Sequence, residues 1–249
     1  MNIKALKTRW RLLRLKWHDA KHGNSFRIHG VEVQVPQSVW WAVRIQVLRG
    51  RYERKEARAI KRFLKPGTPV IELGGSLGII SKVVRSVIGP TAQHIVVEAN
   101  PQLLEVCAAN AVPPQFPERT QIVNAAVAYG ADEVHFRCTQ DSLGGAIGTA
   151  TEADVIAVRS VTLSTLAALV PGNAPFALIC DIEGAELDMM QHEETVWRRV
   201  SLVVIEIHPQ SFAEQGSSEA SFMALLKARG LRVLQQQKRV LVLAGPAAS

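Results

Sequence analysis

The run Glu72-Leu73-Gly74-Gly75-Ser76-Leu77-Gly78 places an acid, three glycines and a serine between an apolar strand-like stretch, Val70–Leu73, and a helical one, Ile79–Ser86. Glycines at such a turn let the backbone approach a ligand closely and bend tightly into a helix. The Gly-Gly-x-x-Gly spacing differs from the Gly-x-Gly-x-x-Gly of dinucleotide loops. An acid at the strand end repels a pyrophosphate and suits a cationic amino-acid group. The loop therefore predicts a nucleoside ligand with a positively charged tail.

Glu98 strengthens that reading. It ends a second apolar stretch, Ile95–Glu98, and precedes Ala99-Asn100-Pro101, a helix start. A carboxylate there accepts hydrogen bonds from both ribose hydroxyls. Asn124, Ala125 and Ala126 end a third stretch, Gln121–Ala128, where small residues leave room for an adenine; Asn124 can bond the ring edge or serve as a turn residue. A ribose, an adenine and a cationic tail together specify S-adenosylmethionine, held by Glu72, Gly74, Gly75, Ser76, Gly78, Glu98, Ala99, Asn124, Ala125, Ala126 and Asp181.

Acids gather again at the fourth and fifth strand ends. Phe176–Asp181 delivers Asp181 and Glu183 to its carboxyl end, and Leu202–Ile207 leads into Glu206-Ile207-His208. Alternation puts Glu206 and His208 on one side of the strand. A neutral histidine there can take a proton from a reacting hydroxyl, with Asp181 as second candidate, or can serve as a structural hydrogen-bonder. Asp181 and Glu206 carry oxygens of the kind Mg²⁺ prefers, but no metal is assigned.

These residues need elements to hold them. Strand-like stretches alternate with helical ones over Pro101–Asn110, Glu186–His192 and Phe222–Arg229, and the chain closes on Leu231–Gln235 and Val240–Leu243 as a hairpin. The order predicts an α/β fold: a doubly wound, mostly parallel seven-stranded sheet of Rossmann-like class I type, ending in an antiparallel pair. One interruption, Val134–Cys138, Ser142–Gly148 and Val155–Val161, reads as extra strands with a glycine-rich loop placed to cover a substrate.

Charge divides the chain. Residues 1–65 hold 17 Lys or Arg against Asp19, Glu32, Glu53 and Glu56, whereas the remainder carries 12 basic and 18 acidic side chains. This predicts a basic N-terminal extension over residues 1–50 (an amphipathic helix near 4–17 and a hairpin near 26–35) ahead of a mildly acidic domain over 51–249, with one arginine-rich helix from Val39 to Leu64. Trp10, Leu13 and Trp17 either pack on the body or, through residues 1–22, meet an anionic membrane. Cys107, Cys138 and Cys180 are scattered and form no disulfide or zinc pattern. Without a secretory signal or a spanning apolar run, the expected setting is cytoplasmic or peripheral to the inner face of a membrane.

The motifs, in this order, resemble the FkbM-type methyltransferase family. The likeness runs from about Tyr52 to Leu243 and rests on Tyr52-Glu53-x-x-Glu56, the glycine loop, Glu98-x-Asn100-Pro101, Asp181-Ile182-Glu183-Gly184-Ala185-Glu186 and Glu206-Ile207-His208. The family loop reads Asp-x-Gly-Ala-Asn-x-Gly; Glu72, Gly75 and Ser76 depart from it while keeping the charge and a polar group. The resemblance implies S-adenosylmethionine-dependent O-methylation of a sugar, glycolipid or other small-molecule hydroxyl. A methyltransferase-fold protein that binds without catalysis, or only with a partner, is the alternative. A nucleic-acid methyltransferase is disfavoured by the acidic main domain, because the Asp181–Glu183 segment repels phosphate.

Overall fold

The strand-and-helix rhythm arises where short β-branched runs are cut by glycine turns. The computed structural model describes the backbone of residues 3–138, 145–147 and 155–248. Helix α1 (Ile3–His22) leads into a hairpin of β1 (Ser25–Ile28) and β2 (Val31–Gln34), as the alternation predicted. Helices α2 (Trp41–Leu48) and α3 (Arg54–Phe63) replace the single helix expected from Val39 to Leu64. The break has a backbone cause: Gly50 and Glu53 adopt φ of 63° and 46°, left-handed values that no α-helix continues through.

The central alternation follows: β3 (Val70–Leu73), α4 (Ile79–Ile88), β4 (His94–Glu98), α5 (Leu104–Ala111), β5 (Thr120–Asn124). An inserted group comes next: β6 (Ala126–Val127), β7 (Glu133–Cys138), β8 (Gly145–Ile147) and β9 (Val155–Val161). The chain then runs through α6 (Leu163–Ala168), β10 (Phe176–Cys180), α7 (Glu186–His192), β11 (Val200–Glu206), α8 (Pro209–Glu214), α9 (Glu219–Ala228), β12 (Arg232–Gln237) and β13 (Val240–Ala244).

The main sheet has seven strands in the order β12-β13-β11-β10-β3-β4-β5, parallel except where β13 runs antiparallel to both β11 and β12. The stretch expected as one strand, Gln121–Ala128, is split: β5 stays in the main sheet, whereas β6 joins the sheet β6-β9-β7-β8. The insertion therefore forms its own sheet; most of the stretch expected at Ser142–Gly148, and the glycine-rich loop with it, lies outside the described residues.

Alternation along the parallel strands feeds two apolar layers. Ile71, Leu73, Phe176, Leu178 and Cys180 face one core, while Val70, Ala177 and Ile179 face the other with α3 and α4. The N-terminal segment packs on the body through a third cluster, in which Leu15, Phe26, Ile28 and Val43 meet Leu77, Ile79, Leu103 and Val106. Strand order reverses between β3 and β10, so their carboxyl ends diverge and leave a crevice, the usual ligand position in open α/β sheets. Among the described residues no helix is long and apolar enough to cross a membrane.

Candidate functional site

The crevice at the β3/β10 reversal holds a cleft lined on the loop side by Gly74 and Ser76 and opposite by Ala125, Ala126 and Phe136. The glycines are there for contact reasons. A Cβ on Gly74 would stand 1.9 Å from the Asp181 carbonyl oxygen, and Gly74 has φ of 89°. On Gly78 a Cβ would meet the Cys107 carbonyl oxygen at 2.6 Å, and on Gly75 the side chains of Val96 and Cys107 at 2.7 and 2.8 Å. The loop thus lies flat between β10 and α5, with its backbone presented to the cleft.

Glu98 anchors the loop as well as lining the cleft. Its carboxylate accepts from the Ser76 amide at 2.6 Å and from the Asn100 amide at 2.7 Å, one bond to each oxygen. Each oxygen retains a lone pair toward the cleft, which two ribose hydroxyls can use. Burial holds its carboxyl above the usual range, against the pull of those amides. Ala99, Ala125 and Ala126 line the wall beside it. Asn124 does not; its amide donates to the Glu98 and Ala99 carbonyls at 2.8 and 3.1 Å, clamping two strand ends together.

Glu72 is turned the other way. On β3, Ile71 and Leu73 face one core, so Glu72 must face the α4 side. There it accepts from Ser81 Oγ at 2.7 Å and meets His94 Nε2 at 2.8 Å, with 1% of its surface exposed. Glu53, by contrast, lines the cleft. Burial, with Asp181, Glu56 and Glu72 nearby, pushes the Glu53 carboxyl well above its usual range, as expected of an acid waiting for a cation. Tyr52, also in the cleft wall, bonds Ser76 Oγ through its hydroxyl at 3.1 Å. Both residues belong to the Tyr52-Glu53-x-x-Glu56 pattern, but nothing in their spacing marks them as ligands.

Three non-glycine residues of the cleft, Glu53, Ser76 and Glu183, carry positive φ of 46°, 46° and 51°. Such conformations cost free energy and are retained where surrounding structure imposes them, commonly at binding sites.

At the other end lie the acids of β10 and β11. Asp181 lines the cleft, and its Oδ1 is buried without a hydrogen-bond partner. Burial first, then Glu183 and Glu206, push its carboxyl up to about 8, with His208 opposing. His208 sits behind the cleft: Nδ1 lies 2.7 Å from Glu186 Oε1, and Nε2 lies 3.2 Å from Glu183 and 3.8 Å from Asp181. Burial lowers its pKa, but the Glu186 bond and the charges of Glu186, Asp181 and Glu183 outweigh that and bring it up to about 9. His208 thus makes the structural hydrogen bond that the sequence also allowed, and its raised pKa favours the imidazolium over a neutral base. One ligand atom each of Asp181, Glu183 and His208 lie within 4.8 Å of one another, a spacing that can also hold a cation. Glu206 stands outside this group against Glu56, whose carboxyl burial and Glu206 raise to about 7.

The arrangement fits S-adenosylmethionine: a close-approach loop, a buried carboxylate suited to a ribose, small residues suited to an adenine, and the acids Glu53 and Asp181 suited to a cationic tail and sulfonium.

Solved structures resemble the chain at low identity. Streptococcus pneumoniae Sp1610 has a TM-score of 0.47 and 10% identity, with 78% of this chain and 71% of that one covered. Aeropyrum pernix fibrillarin, solved with natively bound S-adenosyl-L-methionine, gives 0.43, 12%, 77% and 74%. The pyocyanin biosynthetic protein PhzM gives 0.43 and 14%, with 82% of this chain covered but 58% of that one. No curated protein matches the chain in sequence. The methyltransferase FkbM domain model matches residues 75–233, from the glycine loop into β12. With that match and a cleft built as described, the chain belongs to the FkbM methyltransferase family, and its cofactor is S-adenosylmethionine.

Proposed function

We propose that this methyltransferase is an O-methyltransferase acting on a hydroxyl of a sugar, a glycolipid or another small molecule. The observation that carries the reading is Asp181: a cleft-lining carboxyl with an oxygen that has no hydrogen-bond partner and a pKa near 8, suited to receiving a proton near neutral pH. An alcohol is a poor nucleophile until its proton leaves, and a carboxylate at the cleft wall answers that need.

Bound in the cleft, S-adenosylmethionine supplies a methyl group made electrophilic by its sulfonium. Glu98 would hold its ribose, Glu53 its ammonium and the alanine wall its adenine. Asp181 would orient the acceptor O–H and take its proton as the oxygen–carbon bond forms and the methyl–sulfur bond breaks, so the acceptor would leave as a neutral ether and the cofactor as the neutral thioether S-adenosylhomocysteine. His208, held by Glu186, tunes Asp181: its positive charge keeps the carboxyl from rising further and favours the ionised, proton-accepting form. Phe136, brought by the inserted sheet, closes one side of the cleft against water. We further propose a cytoplasmic setting, either free or peripheral to the inner face of a membrane, on the basis of the basic N-terminal segment.

Labelled methyl transfer into a panel of glycans, glycolipids and small alcohols, with the product bond identified by mass spectrometry, tests the reading. A methyl ether supports it; a methylated amine, nucleobase or carbon as the sole product overturns it.

A further inference from the structure

Helix α1 is held to the body by one face and leaves a different one bare. Leu15 and His18 are buried, His18 stacks on Phe26 at 4.1 Å, and Arg44 pairs bidentately with Asp19 at 2.8 and 2.9 Å. On the opposite side, Leu6, Trp10, Leu13 and Trp17 are exposed by 39, 63, 51 and 65%. Their spacing of four, three and four residues makes one continuous stripe along a helix of about 3.6 residues per turn. At about 100° per residue, Lys7, Arg14 and Lys21 flank the stripe on one side and Arg9 and Lys16 on the other. Lys21 Nζ already lies over the Trp17 ring, 5.2 Å from its centre.

A second feature adjoins the stripe. A groove between α1 and the end of α2 is walled by Leu6, Trp10, Ile45 and Leu48, and Lys7, Arg11, Arg14 and Arg49 line it with positive charge. Among the described residues none of these four cations takes part in a salt bridge. Like charge is crowded here: Arg51 first, then burial, Arg11 and Arg14 push the Arg49 guanidinium below its usual range.

We propose that α1 is a bilayer-docking helix for anionic phospholipid, its Leu6–Trp17 stripe lying among the upper acyl chains and the groove cations of Lys7, Arg11, Arg14 and Arg49 engaging the phosphate headgroups. An apolar stripe bounded on both sides by long cationic side chains is the geometry in which amines and guanidiniums reach up to headgroups while their stems stay apolar. A nucleic acid would use the positive charge but leave Leu6 and Leu13 unserved, and a second copy of so basic a face would be repelled. The platform is also coupled to the site. His29 of its hairpin bonds the Tyr52 carbonyl at 2.6 Å, and the Tyr52 hydroxyl reaches Ser76 in the cofactor loop. This inference deepens the membrane setting proposed above, and its readout is independent of methyl transfer.

The experiment is sedimentation of the full chain with vesicles of phosphatidylcholine alone, or mixed with about one-third phosphatidylglycerol, at about 0.1 M salt. Two variants run alongside: Trp10→Ala/Trp17→Ala and Arg11→Gln/Arg14→Gln/Arg49→Gln. Binding is expected only to the anionic vesicles. Each cation near such a surface is worth about fivefold in affinity, so the triple variant should bind about 100-fold more weakly. The tryptophan variant should lose at least about tenfold, and the wild-type emission should shift to the blue on binding. Both variants should retain S-adenosylmethionine binding by calorimetry, since none of these five side chains lines the cleft; that check separates failed docking from a failed fold. Equal binding by all three proteins, equal binding to uncharged vesicles, or displacement from vesicles by an RNA oligonucleotide that binds more tightly would each overturn the proposal.

Discussion

His208 Nδ1 and Glu186 Oε1 lie 2.7 Å apart, and the glutamate carrying that oxygen has no surface exposed to solvent. A buried carboxylate is tolerated when a cation answers it, and here the histidine supplies that cation.

His208→Ala should therefore cost folding stability beyond any effect on catalysis. It leaves Glu186 charged and unanswered, a situation worth about 3–5 kcal/mol. The sign of the pH dependence follows from the histidine. Its folded pKa, about 9, lies above its ordinary 6.5, so the stabilisation is complete below pH 6.5 and fades as pH climbs through about 9. Urea unfolding across this range should show wild-type stability falling more steeply on the alkaline side than that of His208→Ala, in which only the raised carboxyls of Asp181 and Glu56 still contribute. Parallel curves would remove the ion pair from the account.

Asp181 gives a second pH signature. With its carboxyl near 8, turnover should rise as pH increases through that value. Asp181→Asn should lower kcat by about 10²–10⁴ while cofactor affinity changes far less. The cationic His208 holds the Asp181 pKa down, so His208→Gln should move the rising limb of the profile to higher pH. An unmoved limb would separate the two residues.

The loop geometry sets a graded series. Gly74→Ala would drive a methyl into the Asp181 carbonyl at 1.9 Å, in a left-handed conformation that alanine resists, and neither backbone can yield cheaply. Cofactor binding should be lost. Gly75→Ala meets two side chains at 2.7 and 2.8 Å instead, which can shift, so a cost of about 1–3 kcal/mol with weakened binding is expected. Thermal melts with and without S-adenosylmethionine measure both; equal behaviour of the two variants would contradict the contact argument.

The distribution of these residues shows what the sequence could and could not reveal. The glycine loop, Glu98 and Asp181 were legible because a class I sheet puts its ligands at strand carboxyl ends, and strand ends can be read from apolar runs and glycine punctuation. Which way a side chain at such an end points was less legible. Glu72 lies one residue from the strand terminus, and with period-two alternation its side depends on which core the neighbours fill. Glu53 was hidden for a different reason: it reads as a polar residue inside a long helical pattern, and the left-handed backbone at Gly50 and Glu53 that breaks that helix is not announced by the pattern. The separate strand Ala126–Val127 was merged with its predecessor because nothing in the apolar run announces a change of sheet.

Glu98→Ala removes two functions at once, the acceptor for the Ser76 and Asn100 amides and the partner for ribose hydroxyls. S-adenosylmethionine affinity should fall at least about 100-fold, since each charge-assisted bond contributes roughly 1.5–3 kcal/mol. Glu98→Gln keeps an acceptor for one amide and should fall between. Calorimetry with circular dichroism as the folding control decides this; unchanged affinity in the alanine variant would place the ribose elsewhere.

The sharpest contrast lies between the two acids that compete for the cationic tail. If Glu53 holds the ammonium, Glu53→Gln should weaken S-adenosylmethionine and S-adenosylhomocysteine by about tenfold or more yet leave adenosine affinity, which involves no amino acid, nearly unchanged. Glu72→Gln should behave in the opposite manner. Its carboxylate is spent on Ser81 and His94 in a buried site, so the substitution should lower the melting temperature and affect all three ligands alike. The ratio of S-adenosylhomocysteine to adenosine affinity therefore reports tail recognition alone. A ratio that collapses in Glu72→Gln and survives in Glu53→Gln would return the ammonium to the strand-end acid and require its side chain to swing from beneath the loop into the cleft.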